Sequence, residues 1–442
     1  MDLVLSLVLI IITFVNLMRQ RENIIPYIIV YNVVFDVFNY TFDSTSGIIA
    51  IGRAALLYTT AFFFYKKKGF KLRPVNILIF IFLLYTFFLC FFSNDFNESI
   101  RTYLRVSSYF IYFDLIYSYY LDKKHDPNKY FKSFSLVLVT YIVYTVAANV
   151  FKLGTMYSSK QDSDDSFQTG NIIGDFLLQF SFSVLLIPLI FFYNNDKKYR
   201  IFYILCSCIT IPLLLVSTRR TSVLIIVAGY IIFLFFYKNK STAILYSLLF
   251  SFAASLFVLN FSDTIVKRFE ARADRLEVNS FEAEGRTLEY FVVSDLIFSF
   301  KDPLHSLFGK DIYAERGVLK TFYSERHLHT DYGKLLHGTG IIGFLLYILF
   351  IYTLVIISFR QRRYKINGDE YALHFSTIIM LIGCKVILSY TGGFHVISYN
   401  AMVFGTIGLI LAIQKRSHQE NLIQNSIIRN QTAQQNETRL HS

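Results

Sequence analysis

The chain contains no tryptophan, only four cysteines and, for its 442 residues, little charge: Asp, Glu, Lys and Arg together make up 17%, against about 25% in soluble proteins. Charge this sparse beside 54% hydrophobic residues excludes the string of soluble domains that the length alone would suggest. It equally excludes disordered and collagen-like chains. Cys90, Cys206, Cys208 and Cys384 all fall within apolar runs, where cysteine acts as a small hydrophobe, so no disulfide framework is expected. Without tryptophan, anchoring at the bilayer surface passes to the 32 Tyr and 47 Phe, the remaining aromatics suited to that interface. Short alternating strands are also missing, which excludes an outer-membrane barrel with its period-2 segments of about 10 residues. No glycine-rich phosphate loop follows a strand, and no cofactor is expected.

What the chain does have is long apolar runs. Thirteen segments approach the length a helix needs to cross the hydrocarbon: 2–18, 24–41, 46–65, 75–93, 100–120, 133–151, 171–193, 201–217, 222–237, 242–260, 338–358, 372–390 and 396–414. The expected fold is therefore an all-α polytopic membrane protein of about 12–13 transmembrane helices. The first segment lacks a basic leader and a small-residue cleavage site, so it reads as a retained helix.

The formal charge of +12 points to topology rather than to nucleic acid, because the basic residues alternate. Every second connection carries them: Arg19 and Arg21; Lys66–Lys68, Lys71 and Arg73; Lys123, Lys124, Lys129 and Lys132; Lys197, Lys198 and Arg200; Lys238 and Lys240; Arg360, Arg362, Arg363 and Lys365. The intervening short connections hold only Lys152, Lys160, Arg219 and Arg220. Positive loops stay with the cytoplasm, which puts the N-terminus outside. The expected organisation is helices 1–10 over 1–260, a large outward loop over 261–337, helices 11–13 over 338–414, and a disordered cytoplasmic tail over 415–442, rich in Gln and Asn. The outward loop holds eleven basic and thirteen acidic residues. Its Leu288, Phe291, Val292, Leu296 and Ile297 recur at helical spacing, predicting a short helix against the membrane mouth.

Four cations fall inside spans: Arg53, Arg101, Arg105 and Lys385. Each costs about 2.5–3.5 kcal/mol at the bilayer centre, and the topology places all four in the outward half. Arg101 and Arg105 share a helix face. With Arg219 and Arg220 on a four-residue outward turn, they suggest an anion-binding cluster. Pairing with Asp36, Asp114 or Asp175, or snorkelling of the long side chains, is the competing reading, and Lys385 stands apart from the other cations.

The segment Leu213-Leu-Leu-Val-Ser-Thr-Arg219-Arg220, the Gly285-Arg286 of the large loop, and the stretch His327-Leu-His329-Thr-Asp-Tyr332 leading into Gly338-Thr-Gly-Ile-Ile-Gly343 together resemble the O-antigen polymerase and ligase superfamily. The likeness covers about residues 213–358 in detail. It implies a GT-C-like helical fold in the bacterial inner membrane with the active site facing outward. It also implies an inverting glycosyltransferase that polymerises undecaprenyl-pyrophosphate-linked oligosaccharide repeat units into an O-antigen or capsule. In that reading Arg219 (or Arg220) and Arg286 contact the pyrophosphate and His329 is catalytic. Arg220, Arg101, Arg105, Arg53, Tyr332 and His327 form the wider substrate-binding set. Thr330 stands where the family often has Asn, so the register of His327 against His329 stays open. The lipid bilayer, the lipid-linked substrate, a chain-length regulator and a flippase are the implied partners. A ligase transferring glycan to lipid A–core shares the motifs. From another class, a polysaccharide flippase or transporter also needs many spans and buried charge. A metal site built from His327, His329, Asp331 and His337 is disfavoured, because His327 and His329 diverge on a helix.

Overall fold

The computed structural model describes residues 2–41, 46–151, 175–194, 196–216, 220–237, 285–313, 318, 328–360 and 368–440. Among these it is all-helical, with no strand, as the bilayer demands of a chain that must satisfy its own backbone hydrogen bonds. In order the helices are α1 (Asp2–Gln20), a 3₁₀ turn (Arg21–Tyr27), α2 (Ile28–Thr41), α3 (Ser46–Lys68), α4 (Ile77–Cys90), α5 (Phe96–Tyr120), α6 (Asn128–Val150), α7 (Asp175–Leu185) and α8 (Ile187–Tyr193). There follow α9 (Lys197–Val216), α10 (Arg220–Phe236), α11 (Gly285–Phe298), α12 (Pro303–Phe308), α13 (Asp331–Arg360), α14 (Gly368–Thr391) and α15 (Ile397–Leu440). Among the described residues, five stretches are long and apolar enough to cross a membrane: Ile48–Lys68, Asn128–Val150, Asp331–Arg360, Gly368–Tyr390 and Ile397–Glu420. The chain is a polytopic membrane protein.

Twelve of the thirteen expected spans coincide with helices, and the segment 242–260 lies outside the described residues. Two spans are interrupted. The second opens as a 3₁₀ turn containing Pro26, and the seventh breaks at Leu186, with Pro188 in the first turn of α8. Both breaks follow from proline, which lacks the N–H that an interior helical position must donate. The tail differs from expectation: rather than ending near 414, α15 continues as helix to Leu440. A polar sequence carried on an already formed helix needs no new nucleus, only propagation.

The core explains the order of layers. The apolar window of α15 is wholly buried, whereas only 28% of that in α13 is, so α15 is the central helix and α13 lies at the periphery. The most extensive helix pair is α15 with α5, packed through aromatic rings. Tyr109 stacks on Phe404 at 5.6 Å between centroids, and Phe110 meets the same Phe404 ring at 5.3 Å. Such pairs add about 0.5–1.5 kcal/mol beyond the area they bury.

The two ends of the bundle are chemically distinct. At one, Lys67 meets Glu22 at 3.0 Å, Lys68 meets Asp122 at 3.0 Å and Lys123 meets Glu420 at 3.1 Å, so three of the expected basic connections and the tail gather together. At the other, Asn94 donates its backbone and side-chain N–H groups to Asp311 at 2.8 and 2.9 Å. There Ser99 donates to the Ile312 carbonyl at 2.5 Å, and the Tyr85 hydroxyl donates to that of Thr339 at 2.9 Å. At Gly340 the backbone of α13 leaves the helical region (φ 60, ψ −170). Only glycine adopts that conformation readily, and a Cβ there would strike the Leu307 carbonyl. The kink lets α12 lie directly on α13, which accounts for part of the glycine-rich Gly338–Gly343 stretch.

Candidate functional site

At the end opposite the basic connections, α11 buries the stripe Glu289, Val293 and Ile297, spaced by four residues and therefore on one face. The apolar members pack with Leu328 and Leu336. Of the apolar positions at helical spacing, Ile297 belongs to this buried face, whereas Phe291 (66% exposed) and Leu296 (38%) turn outward. The cause is that the loop's own core lies on the side of Glu289.

Glu289 is fully buried, and its Oε2 accepts the backbone N–H groups of His329 (2.7 Å) and Thr330 (3.0 Å). Hydrogen bonds to an ionised group contribute about 1.5–3 kcal/mol each, so one carboxylate fixes the chain direction just before α13. Asp331, the first residue of α13, continues the clamp. Its Oδ1 accepts the Phe394 N–H at 2.7 Å, and its Oδ2 faces Lys385 Nζ of α14 at 3.4 Å. The ion pair is almost entirely out of solvent, with side-chain exposures of 0% and 2%. Lys385 also lies 5.3 Å from the Tyr399 ring centroid.

The turn between α14 and α15 is tied down from the other side. Tyr399 donates its hydroxyl to the Gly393 carbonyl, and Asn400 Nδ2 reaches the carbonyls of Gly393 (3.0 Å) and Val396 (2.6 Å). Gly392 has φ +94, and a Cβ there would collide with the His329 carbonyl, so glycine permits the turn to close against the clamped segment. The result is a buried polar lattice from which the His329 residue itself emerges exposed. A side chain held this way by its backbone gains orientation without losing access.

The remaining candidates distribute around this lattice. Tyr332 donates to the carbonyl of Val386, the residue after Lys385, at 2.9 Å. Arg53 is paired with Asp36, whose carboxylate also accepts from Ser398, next to Tyr399; the Arg53 charge is thus balanced within the bundle. Arg101 is exposed and Arg105 half-buried in the first turns of α5, whose Ser99 reaches the Ile312 loop. Arg286 lies in the first turn of α11, three residues before Glu289, and Arg220 opens α10; the side chains of both lie outside the described residues, as do Arg219 and His327. The structure therefore joins α11, His329, Tyr332 and Arg53 through one polar network, while Arg101 and Arg105 lie in the first turns of α5.

Buried beneath this end, His305 of α12 and His337 of α13 meet at 3.1 Å, Nε2 to Nδ1. Burial lowers the His305 pKa, against the raising effect of its contact with His337 and of Asp302. Among the described residues, no three His, Cys, Asp or Glu side chains come together as metal ligands. Tyr290 stacks on Tyr390 at 5.1 Å, and burial raises its pKa, keeping the phenol neutral.

Glu289 and Asp331 are the residues that sequence reasoning passed over as structural organisers. For Glu289 a signal existed, a carboxylate four residues before Val293 on an otherwise apolar stripe. For the Asp331–Lys385 pair there was none, since the partners lie 54 residues apart. No protein-family model and no curated protein matches this chain, so the chemistry of the site is argued from this geometry and from the motifs themselves.

Proposed function

We propose that this chain is a membrane glycosyltransferase that polymerises polyprenyl-pyrophosphate-linked oligosaccharides into a surface polysaccharide, acting at the end of the bundle that carries His329. The observation that supports it best is the clamp: Glu289 and Asp331 immobilise the backbone from His329 to Asp331 beneath an exposed imidazole, as positioned acid–base chemistry requires. In this reaction the acceptor hydroxyl attacks the anomeric carbon while the C–O bond to the pyrophosphate breaks. The hydroxyl proton passes to His329, and the electron pair leaves with the pyrophosphate. The donor already holds its leaving group, so no nucleotide is consumed. Arg286, one turn before Glu289 on α11, and Arg220 at the start of α10 or Arg219 just before it would meet the growing negative charge. Guanidinium forks suit phosphate oxygens and remain charged at any working pH.

The test is twofold. In a deletion strain, single-repeat products indicate a polymerase, whereas accumulated lipid-linked polymer indicates a ligase. In the purified enzyme, His329→Ala should lower the rate by about 10²- to 10⁴-fold and remove the limb of the pH profile near the imidazole pKa, with donor binding retained. If His327→Ala abolishes activity and His329→Ala does not, the base is His327. Unimpaired polymerisation by both variants would refute histidine catalysis.

A further inference from the structure

At the basic end, two cavities sit side by side with Phe64 in the wall of both. One, of about 370 Å³, runs between α1 and α3 and is lined by Leu17, Met18, Phe63 and Phe64, with Arg21, Glu22 and Lys67 at its mouth. The other, of about 260 Å³, is a polar cup that includes Lys68, Lys71, Arg73, Ser118 and Asp122. The first is an apolar groove facing lipid: Met18 is 66% exposed and Phe63 48%. The second is cationic.

The charges at these mouths do not cancel. Glu22 is engaged by Lys67 at 3.0 Å and Lys124 at 3.9 Å, and Asp122 by Lys68 at 3.0 Å. Burial opposes ionisation of both carboxylates, but the bonded lysines outweigh it and hold both pKa values below the usual range. At most three carboxylates, Glu22, Asp122 and the buried Asp114 behind Arg73, therefore face the six cations Arg21, Lys67, Lys68, Lys71, Arg73 and Lys124. Among the described residues, the Arg21 guanidinium and the Lys71 ammonium have no hydrogen-bond or ion-pair partner. Arg21 is held at φ 49, a conformation uncommon outside glycine, which fixes its place at the end of α1. Arg73 is oriented by donation to Ser118 at 2.6 Å and by the Tyr117 ring, 5.3 Å away.

We propose that groove and cup together hold one anionic phospholipid, its phosphate among the unpaired cations and an acyl chain along Leu17, Met18, Phe63 and Phe64. Excess cations at the interfacial end of a groove between spans attract anionic headgroups. A free phosphate would need the cup alone, and a zwitterionic lipid would not need the charge excess.

The natural absence of tryptophan supplies the assay. The full-length chain carrying Phe63→Trp, reconstituted in phosphatidylcholine vesicles, has a single indole beside the groove, and brominated acyl chains quench it on contact. Dibromo-phosphatidylglycerol should quench several-fold more efficiently than dibromo-phosphatidylcholine at equal mole fraction. Arg21→Gln and Lys71→Gln should each reduce that preference by about 5-fold or to none, the scale of one basic residue at an anionic surface. Lys301→Gln, at the far end, should leave it intact, and so should millimolar inorganic phosphate. Equal quenching by the two lipids overturns the proposal, as does a preference that survives loss of both Arg21 and Lys71. Displacement by inorganic phosphate would instead assign the cup to a soluble anion.

Discussion

The buried pair between Asp331 and Lys385 gives a sharp prediction, because each charge is tolerated only through the other. Both side chains are essentially inaccessible, at 0% and 2%, and 3.4 Å separates their charged atoms. Removing one partner strands the other as an uncompensated charge, which costs about 3–5 kcal/mol, whereas replacing both by uncharged residues of similar volume is often neutral. Asp331→Asn keeps an oxygen for the Phe394 N–H, and Lys385→Met keeps the length of the aliphatic stem. Each single variant should therefore lower the apparent melting midpoint of the detergent-solubilised protein by about 3–5 °C, at ~1 °C per kcal/mol for a chain of this length. The Asp331→Asn/Lys385→Met double variant should recover most of that loss. A fluorescence-detected gel-filtration melt of the four proteins measures the cycle. If the two single losses simply add in the double variant, the charges are not coupled and the pair does not close this end of the bundle; if neither single variant loses stability, the burial argument itself fails.

Glu289→Ala should accelerate hydrogen exchange of the His329 and Thr330 amides, because it removes the acceptor of both, while Glu289→Gln should retain much of the protection; equal exchange in all three proteins would remove Glu289 from the clamp. The His305 pKa is depressed by burial, so the folded protein resists a proton that the unfolded chain accepts near pH 6.5. Stability should accordingly fall as the pH drops through that value and downward, and His305→Gln should flatten the dependence of the melting midpoint between about pH 7.5 and 5.5; an unchanged slope would place the dependence elsewhere. Orientation is open to labelling in whole cells: a cysteine at exposed Lys301 should react with an impermeant thiol reagent and one at Lys123 should not, and the opposite pattern would invert the topology that the basic loops imply.

Composition alone determined that this chain lives in a membrane as helices. Sparse charge and repeated apolar runs leave no other state in which the backbone is satisfied, and nearly every expected span coincides with a helix. The alternation of basic loops likewise anticipated which connections meet, because like placement of Lys and Arg is a property of order along the chain: the loops around Glu22, Lys67 and Asp122 do gather at one end. Local grammar also carried far enough to place a helix over Leu288–Ile297. Its buried face was not legible, since a stripe of 288, 291, 292 and 296 is as helical as one of 289, 293 and 297, and only the position of Leu328 and Leu336 selects between them. The intramembrane cations show the same boundary. Their cost could be read from the sequence, but whether Arg53 is balanced by Asp36, and Lys385 by Asp331, depends on contacts between residues 17 and 54 positions apart. Electrostatic pairing in a low-dielectric interior falls off over a few ångströms, and distances of that kind are set by how helices pack, not by their order in the chain.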